Sequence, residues 1–184
     1  MLAREICDRV LALDALADCL AYPDARMPET ARVAEACLRA TSPAAAAALT
    51  PFAAAAAATT PDALEELFAR TFDWSTTLAL EIGWHLYGEQ YERGAFLVRL
   101  RERLRATGVE EGADLPDHLG TCLRLLGRLP ADEAVGLASA ALVPAVDKIL
   151  AGFGAEPNPY MSVIRAVSAV VSEVAGPHDE EGGR

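Results

Sequence analysis

The sequence predicts an all-α protein, a single-domain bundle of about eight to ten helices, and three observations carry that expectation. Apolar side chains recur every three or four residues along most of the chain. Segment after segment opens on proline behind a small polar residue, the place where a helix tolerates a missing N–H. No stretch alternates with period two for long enough to form a strand. The 184 residues suit one domain with its own core, expected over 1–175, followed by a flexible acidic tail over 176–184. Much of the 52% hydrophobic content is alanine, so the core should rely on close helix approach more than on bulky side chains.

Residues 3–21 repeat Ile6, Val10, Leu13, Leu16 or Ala17, and Leu20, which makes a first amphipathic helix. Tyr22-Pro23-Asp24 ends it, because proline disfavours helical geometry in the residue before it. Pro28 opens a second helix to about residue 40. An alanine-dominated segment follows over 43–58, with Pro51 predicting a kink or two short helices. Thr60-Pro61 opens a fourth helix, buried through Leu64, Leu67, Phe68 and Phe72, and Ser75 or Thr76 should cap the next. Residues 77–87 are almost wholly apolar and read as a central helix ended by Gly88. A helix from about 89 to 107 stops at Gly108, and its outer face carries Arg93, Arg99, Arg101, Arg103 and Arg105. A long segment from Pro130 to about Phe153 should kink or restart at Pro144, and Asn158-Pro159 should cap a last helix over 159–174.

The stretch Asp114-Leu115-Pro116-Asp117-His118-Leu119 is the expected centre of function. Asp114 reads as an N-cap, Pro116 as a first-turn proline and Asp117 as the acid of a capping box, so a helix should start here. Leu119, Cys122, Leu123, Leu126 and Leu129 would face inward. Asp117, Thr121, Arg124 and Arg128 would line the face turned to water or a partner, with His118 between the two.

A formal net charge of −11 argues against nucleic acid and anionic membranes as partners and favours cationic ones. Charged residues within the first nine positions exclude a signal or transit peptide, and the Ala-rich segment is too weakly apolar and too interrupted to cross a membrane. A soluble cytoplasmic protein is expected. Cys7, Cys19, Cys37 and Cys122 form no C-x-x-C pair and read as reduced, mostly buried thiols. Glu81, His85 and Glu89 would share a helix face, but the partner motif that a di-iron bundle needs is missing. There is no G-x-S-x-G, no phosphate loop and no dinucleotide fingerprint, so neither an enzyme nor a metal or other cofactor is expected.

The order of Tyr22-Pro23-Asp24, Phe72-Asp73, His85-x-x-Gly88-Glu89, Arg93-Gly94, Leu97-x-x-Leu100, Leu115-Pro116-Asp117-His118-Leu119 and Pro159-Tyr160 resembles the delta-subunit family of respiratory nitrate reductase. These are the NarJ-type assembly chaperones among the redox-enzyme maturation proteins. The resemblance implies an all-helical cytoplasmic chaperone, a monomer or homodimer. Its partner would be the apo catalytic subunit of a molybdenum oxidoreductase, bound through an N-terminal segment or twin-arginine leader before cofactor insertion. By position it implies Leu115, Pro116, Asp117 and His118 as partner-binding residues, with Phe72, Asp73, Arg93 and Gly94 beside them. Trp74-Ser75-Thr76-Thr77 stands where nitrate reductase chaperones carry a basic run, which widens the client to relatives of nitrate reductase. A general peptide-binding adaptor and a helical-bundle metalloenzyme are the competing classes.

Overall fold

The computed structural model describes residues 2–176, and beyond Gly176 the expected acidic tail lies outside the described residues. The α-helical segments are α1 (Leu2–Asp18), α2 (Met27–Thr41), α3 (Pro43–Ala58), α4 (Pro61–Phe68), α5 (Ile82–Tyr87), α6 (Tyr91–Thr107), α7 (Leu119–Arg128), α8 (Ala131–Leu137), α9 (Val143–Gly152) and α10 (Tyr160–Ala175). A π turn over Ala69–Asp73 prolongs α4, and another over Ala138–Leu142 joins α8 to α9 in one rod. That makes nine continuous helices and no strand among the described residues. The fold is all-α, as the spacing of apolar residues requires.

The helices close into a ring. α1 packs on α2 and α7, α2 on α3, α3 on α10, α10 on α9, α9 on α5, α5 on α6, and α6 on α7. Alanines make this possible, since Ala31, Ala34, Ala45, Ala46 and Ala56 are buried where α2, α3 and α10 meet and bring the backbones close. The bulk missing from that seam is supplied by an aromatic cluster. Phe52, Phe68 and Phe72 surround the ring of Tyr160 with centroids 5.0, 5.6 and 5.2 Å away.

Several local signals give the element they predict. Gly108 takes the left-handed conformation that ends α6, and Asn158 Oδ1 accepts the Tyr160 N–H at 2.9 Å to open α10. Others are overridden. Pro51 sits inside an unbroken α3, on its exposed side with Ala47, so the carbonyl left without a partner lies where solvent reaches it. Pro144 does not interrupt its rod either, because the π turn just before it widens the helix ahead of the proline. By length and composition this rod, Ala131–Gly152, could cross a membrane, a candidate the sequence reading passed over; half of its apolar window is buried within the bundle. Cys19 and Cys122 are buried, but Cys7 is exposed and Cys37 only half-buried.

The largest corrections fall on either side of α5 and at the start of α7. Residues 77–81 are not helical: α5 begins only at Ile82, and Glu81 before it is extended. Ser75 caps no helix, its hydroxyl instead accepting the Leu78 N–H within the loop. Glu81 and Glu89 fall outside α5, so the expected Glu81, His85, Glu89 row does not form on one helix face. α7 starts at Leu119 and not at Asp114 or Pro116. His118 N–H donates to Leu115 O at 2.9 Å, which closes a turn with Pro116 in its favoured second position.

Candidate functional site: a cleft above a buried ion pair

A cleft of about 660 Å³ opens where six stretches of chain meet. Its lining comes from Leu20, Ala21 and Tyr22 after α1, from Phe68, Phe72 and Asp73 at the end of α4, and from the loop 74–81. Trp84 of α5, Arg93 of α6 and Asp114, Leu115 and His118 before α7 complete it. The π turn matters here: it leaves Phe72 buried against the aromatic cluster and Asp73, one residue on, exposed at the rim.

The floor is fixed by a short tertiary pairing. Ile82 N–H donates to Asp117 O at 2.9 Å and Leu119 N–H to Leu80 O at 2.8 Å, an isolated antiparallel bridge between Glu81 and His118. His118 then caps α7, its Nδ1 accepting the Gly120 N–H at 3.2 Å. That assigns the remaining ring proton of the neutral imidazole to Nε2. Cys122 Sγ donates to Pro116 O at 3.6 Å and ties the preceding turn to α7.

Asp117 corrects the sequence reading. It does not face water: its side chain is 0% exposed. Oδ2 accepts the Gly83 N–H at 3.2 Å and both Nε–H and Nη2–H of Arg93 at 3.3 Å. Oδ1 is buried without a partner. Burial pushes the Asp117 carboxyl above its ordinary range, the Arg93 charge and hydrogen bonds pull against this, and the nearby Glu81 charge adds to the rise. The Arg93 guanidinium also lies 5.9 Å from the centre of the Trp84 ring, in cation–π range. Arg93 therefore leaves the basic outer face expected for α6. Of the others, Arg101 pairs with Glu111 at 2.8 Å and Arg103 with Glu133 at 3.7 Å.

Of the expected site residues, Phe72, Asp73, Arg93, Leu115 and His118 come together in the cleft. Pro116 and Asp117 are buried behind its wall, and Gly94 is exposed on α6 outside it. Sequence reasoning missed Trp74, Tyr22, Glu81 and Trp84 as lining. Trp74 and Tyr22 are 75% and 59% exposed and Leu115 43%, high for residues of this size and type. A tryptophan directly after Phe72-Asp73 was the available signal. Asp73, Glu81 and Asp114 lie in the same cleft and pair with no cation among the described residues, whereas Asp14, Asp18, Asp24, Glu29 and Glu35 each have an arginine partner. The one arginine of the lining is occupied by Asp117. An apolar rim with free carboxylates is chemically a receptor for a peptide that carries both apolar and basic side chains. No group of three or more His, Cys, Asp or Glu side chains converges as a metal site among the described residues.

The family model of the nitrate reductase delta subunit matches residues 36–164. The chain belongs to the nitrate reductase delta-subunit family. These are assembly chaperones of the redox-enzyme maturation group. The match takes in the cleft from Phe68 to His118, while the Leu20-Ala21-Tyr22 wall precedes it. None of the curated proteins matches the chain. The Leu115-Pro116-Asp117-His118 stretch divides in two: Leu115 and His118 face the cleft, and Pro116 and Asp117 lie in the buried pairing beneath them.

Proposed function

We propose that the protein is a client-specific chaperone for the maturation of a molybdenum-containing oxidoreductase. It binds the apo catalytic subunit in the cytoplasm, through that subunit's N-terminal segment, before the molybdenum cofactor is inserted. The protein performs no chemistry on the client; its work is to hold and release it. One observation carries the reading: exposed Trp74, Tyr22 and Leu115 stand beside unpaired Asp73, Glu81 and Asp114 in one cleft within a chain of this family. An N-terminal leader combines arginine with an apolar run, and each half finds its counterpart here.

Burying a large apolar side chain is worth about 1.5–3 kcal/mol, so truncating one that the client covers should weaken binding by roughly ten- to a hundredfold. The test is calorimetric titration of the protein with a synthetic peptide matching the N-terminus of a molybdoenzyme catalytic subunit from the same host. Trp74→Ala and Leu115→Ala should each lose that much affinity while melting like the wild type, because both side chains are exposed. A peptide that binds all three proteins equally would place its site elsewhere and remove the cleft from the proposal.

A further inference from the structure

The loop 74–81 forms one wall of the cleft, and little of its own sequence explains why it holds its shape. It carries no regular structure before Ile82 and few apolar side chains that reach the core. Apart from the Leu78 N–H, which donates to the Ser75 hydroxyl, its backbone is held from outside. The Trp84 indole Nε1–H donates to Thr76 O at 3.0 Å, and His85 Nε2 meets Ala79 O at 2.7 Å. The end of α9 presses on it as well, since a Cβ on Gly152 would come within 2.7 Å of Thr77 O.

Trp84 is distinctive among these because its other side is engaged. Its ring faces the Arg93 guanidinium, which is tethered in turn to the buried carboxylate of Asp117. The tether is not the two-oxygen fork that arginine and carboxylate prefer, because both N–H groups share Oδ2 while Oδ1 has no partner. Arg93 is thus held in place by Asp117 and Trp84 together. A chain of contacts runs from the buried carboxylate to the exposed wall: Asp117 to Arg93, Arg93 to Trp84, Trp84 to the Thr76 carbonyl.

We infer that Trp84 is a positioning residue, and that through it the buried Asp117–Arg93 pair sets the shape of the 74–81 wall and so the affinity of a client that never touches Asp117. The inference rests on the cleft being the client site. It assigns a role to Asp117 that surface recognition cannot, given its burial, and it makes Arg93 a strut and not a contact for an acidic client group. The indole N–H, and not ring area alone, is what matters at position 84.

The coupling is read first without any client. In the full-length protein the indole N–H resonance of Trp84 is assigned by its loss in Trp84→Phe, with exposed Trp74 as the internal reference. Asp117→Asn and Arg93→Lys should each shift the Trp84 indole resonance and speed its exchange with solvent, while the exposed Trp74 indole exchanges fast in every variant. Trp84→Phe, which keeps an aromatic ring but loses the donor, should weaken the client N-terminal peptide by about five- to tenfold, the worth of one neutral hydrogen bond. If Asp117→Asn does not fold, Arg93→Lys, at a partly exposed side chain, makes the same test. A Trp84 indole unmoved in the folded variants, or a Trp84→Phe protein that binds peptide as tightly as the wild type, overturns the inference. A wild-type protein that binds no peptide removes the proposed function instead, and the indole measurement still decides the coupling.

Discussion

The carboxylate of Asp117 and the backbone of Gly83 meet so closely that a side chain at position 83 would have to displace the acid. Oδ2 accepts the Gly83 N–H at 3.2 Å, and a Cβ built on Gly83 would stand 2.5 Å from that same oxygen and 3.2 Å from Phe96 Cδ1. The acid is clamped by Arg93 and closed off from solvent, so it has nowhere to retreat. Together with the Ile82–Asp117 and Leu119–Leu80 backbone bonds, this contact joins α5 to the turn before α7 and so fixes the two sides of the cleft.

Gly83→Ala should therefore destabilise the fold, although alanine is the better helix former by about 1 kcal/mol. Overpacking a fixed core contact costs about 1–3 kcal/mol, and displacing a buried ion pair adds to it, so a net loss of about 1–3 kcal/mol is expected. Urea denaturation checks it. A variant as stable as the wild type would mean that Asp117 is free to move, and the account of a rigid pair beneath the cleft would fall with it.

The pH dependence of stability should carry the mark of the same residue. Folding lifts the Asp117 carboxyl above its ordinary value of 3.8. Over the window from that value up to the raised one, the native state keeps a proton that the unfolded chain has released. The stability Asp117 contributes is thus full below 3.8 and declines as pH rises through the window. Asp117→Asn cannot show this decline. The difference in unfolding free energy, wild type minus variant, should fall as pH is raised from about 3.8, and a difference that grows instead would mean the Arg93 pairing outweighs burial.

Tyr160 offers a contrasting case. Its hydroxyl is buried without a partner among the rings of Phe52, Phe68 and Phe72, and burial raises its pKa so that it stays protonated. An unsatisfied buried hydroxyl costs about 1–3 kcal/mol, while the ring itself is needed to fill the seam between α3 and α10. Tyr160→Phe should be neutral or more stable by about 1 kcal/mol, visible as a rise of a few degrees in melting temperature. Tyr160→Ala should lose about 3–5 kcal/mol by leaving a cavity. A clear loss in Tyr160→Phe would reveal a hydrogen bond to the hydroxyl.

How much of this was legible in the sequence depends on how far apart the deciding residues lie. The spacing of Leu13, Leu16 and Leu20, the stop at Gly108 and the cap at Asn158 are local, and each produced the element it announces. Leu115-Pro116-Asp117-His118 fits both a capping box and a proline turn, and the choice between them is made by residues far upstream. Leu80 and Ile82 pair with the segment around His118, and this bridge also keeps residues 77–81 out of a helix that their composition would allow. The burial of Asp117 was illegible for the same reason, since its partners Gly83 and Arg93 precede it by 34 and 24 residues. The cleft was half visible. Residues 115–118 could be named, but Trp84 reads as one more apolar position of the 77–87 run and Trp74 only as a departure from a basic run, because what makes the loop 74–81 a wall lies in partners distant in sequence.

Charge and apolar surface in the cleft should separate in the kinetics of client binding. Asp73, Glu81 and Asp114 carry unpaired charge within a chain of net charge −11, and so attract an arginine-bearing peptide over a distance set by the Debye length, about 10 Å at 0.1 M salt. Trp74, Tyr22 and Leu115 act only on contact and are little screened. Raising salt from about 0.05 to 0.5 M should therefore slow association of the client peptide several-fold and leave dissociation nearly unchanged. Asp114→Asn, at an exposed rim residue, should reproduce part of that slowing at low salt, and Trp74→Ala should instead speed dissociation. Stopped-flow measurements on this series decide the mechanism. Should binding vanish at about 0.5 M salt, or survive removal of every apolar residue of the peptide, the cleft would be acting as a charged surface alone, and the exposed tryptophan at its rim would have no part in holding a client.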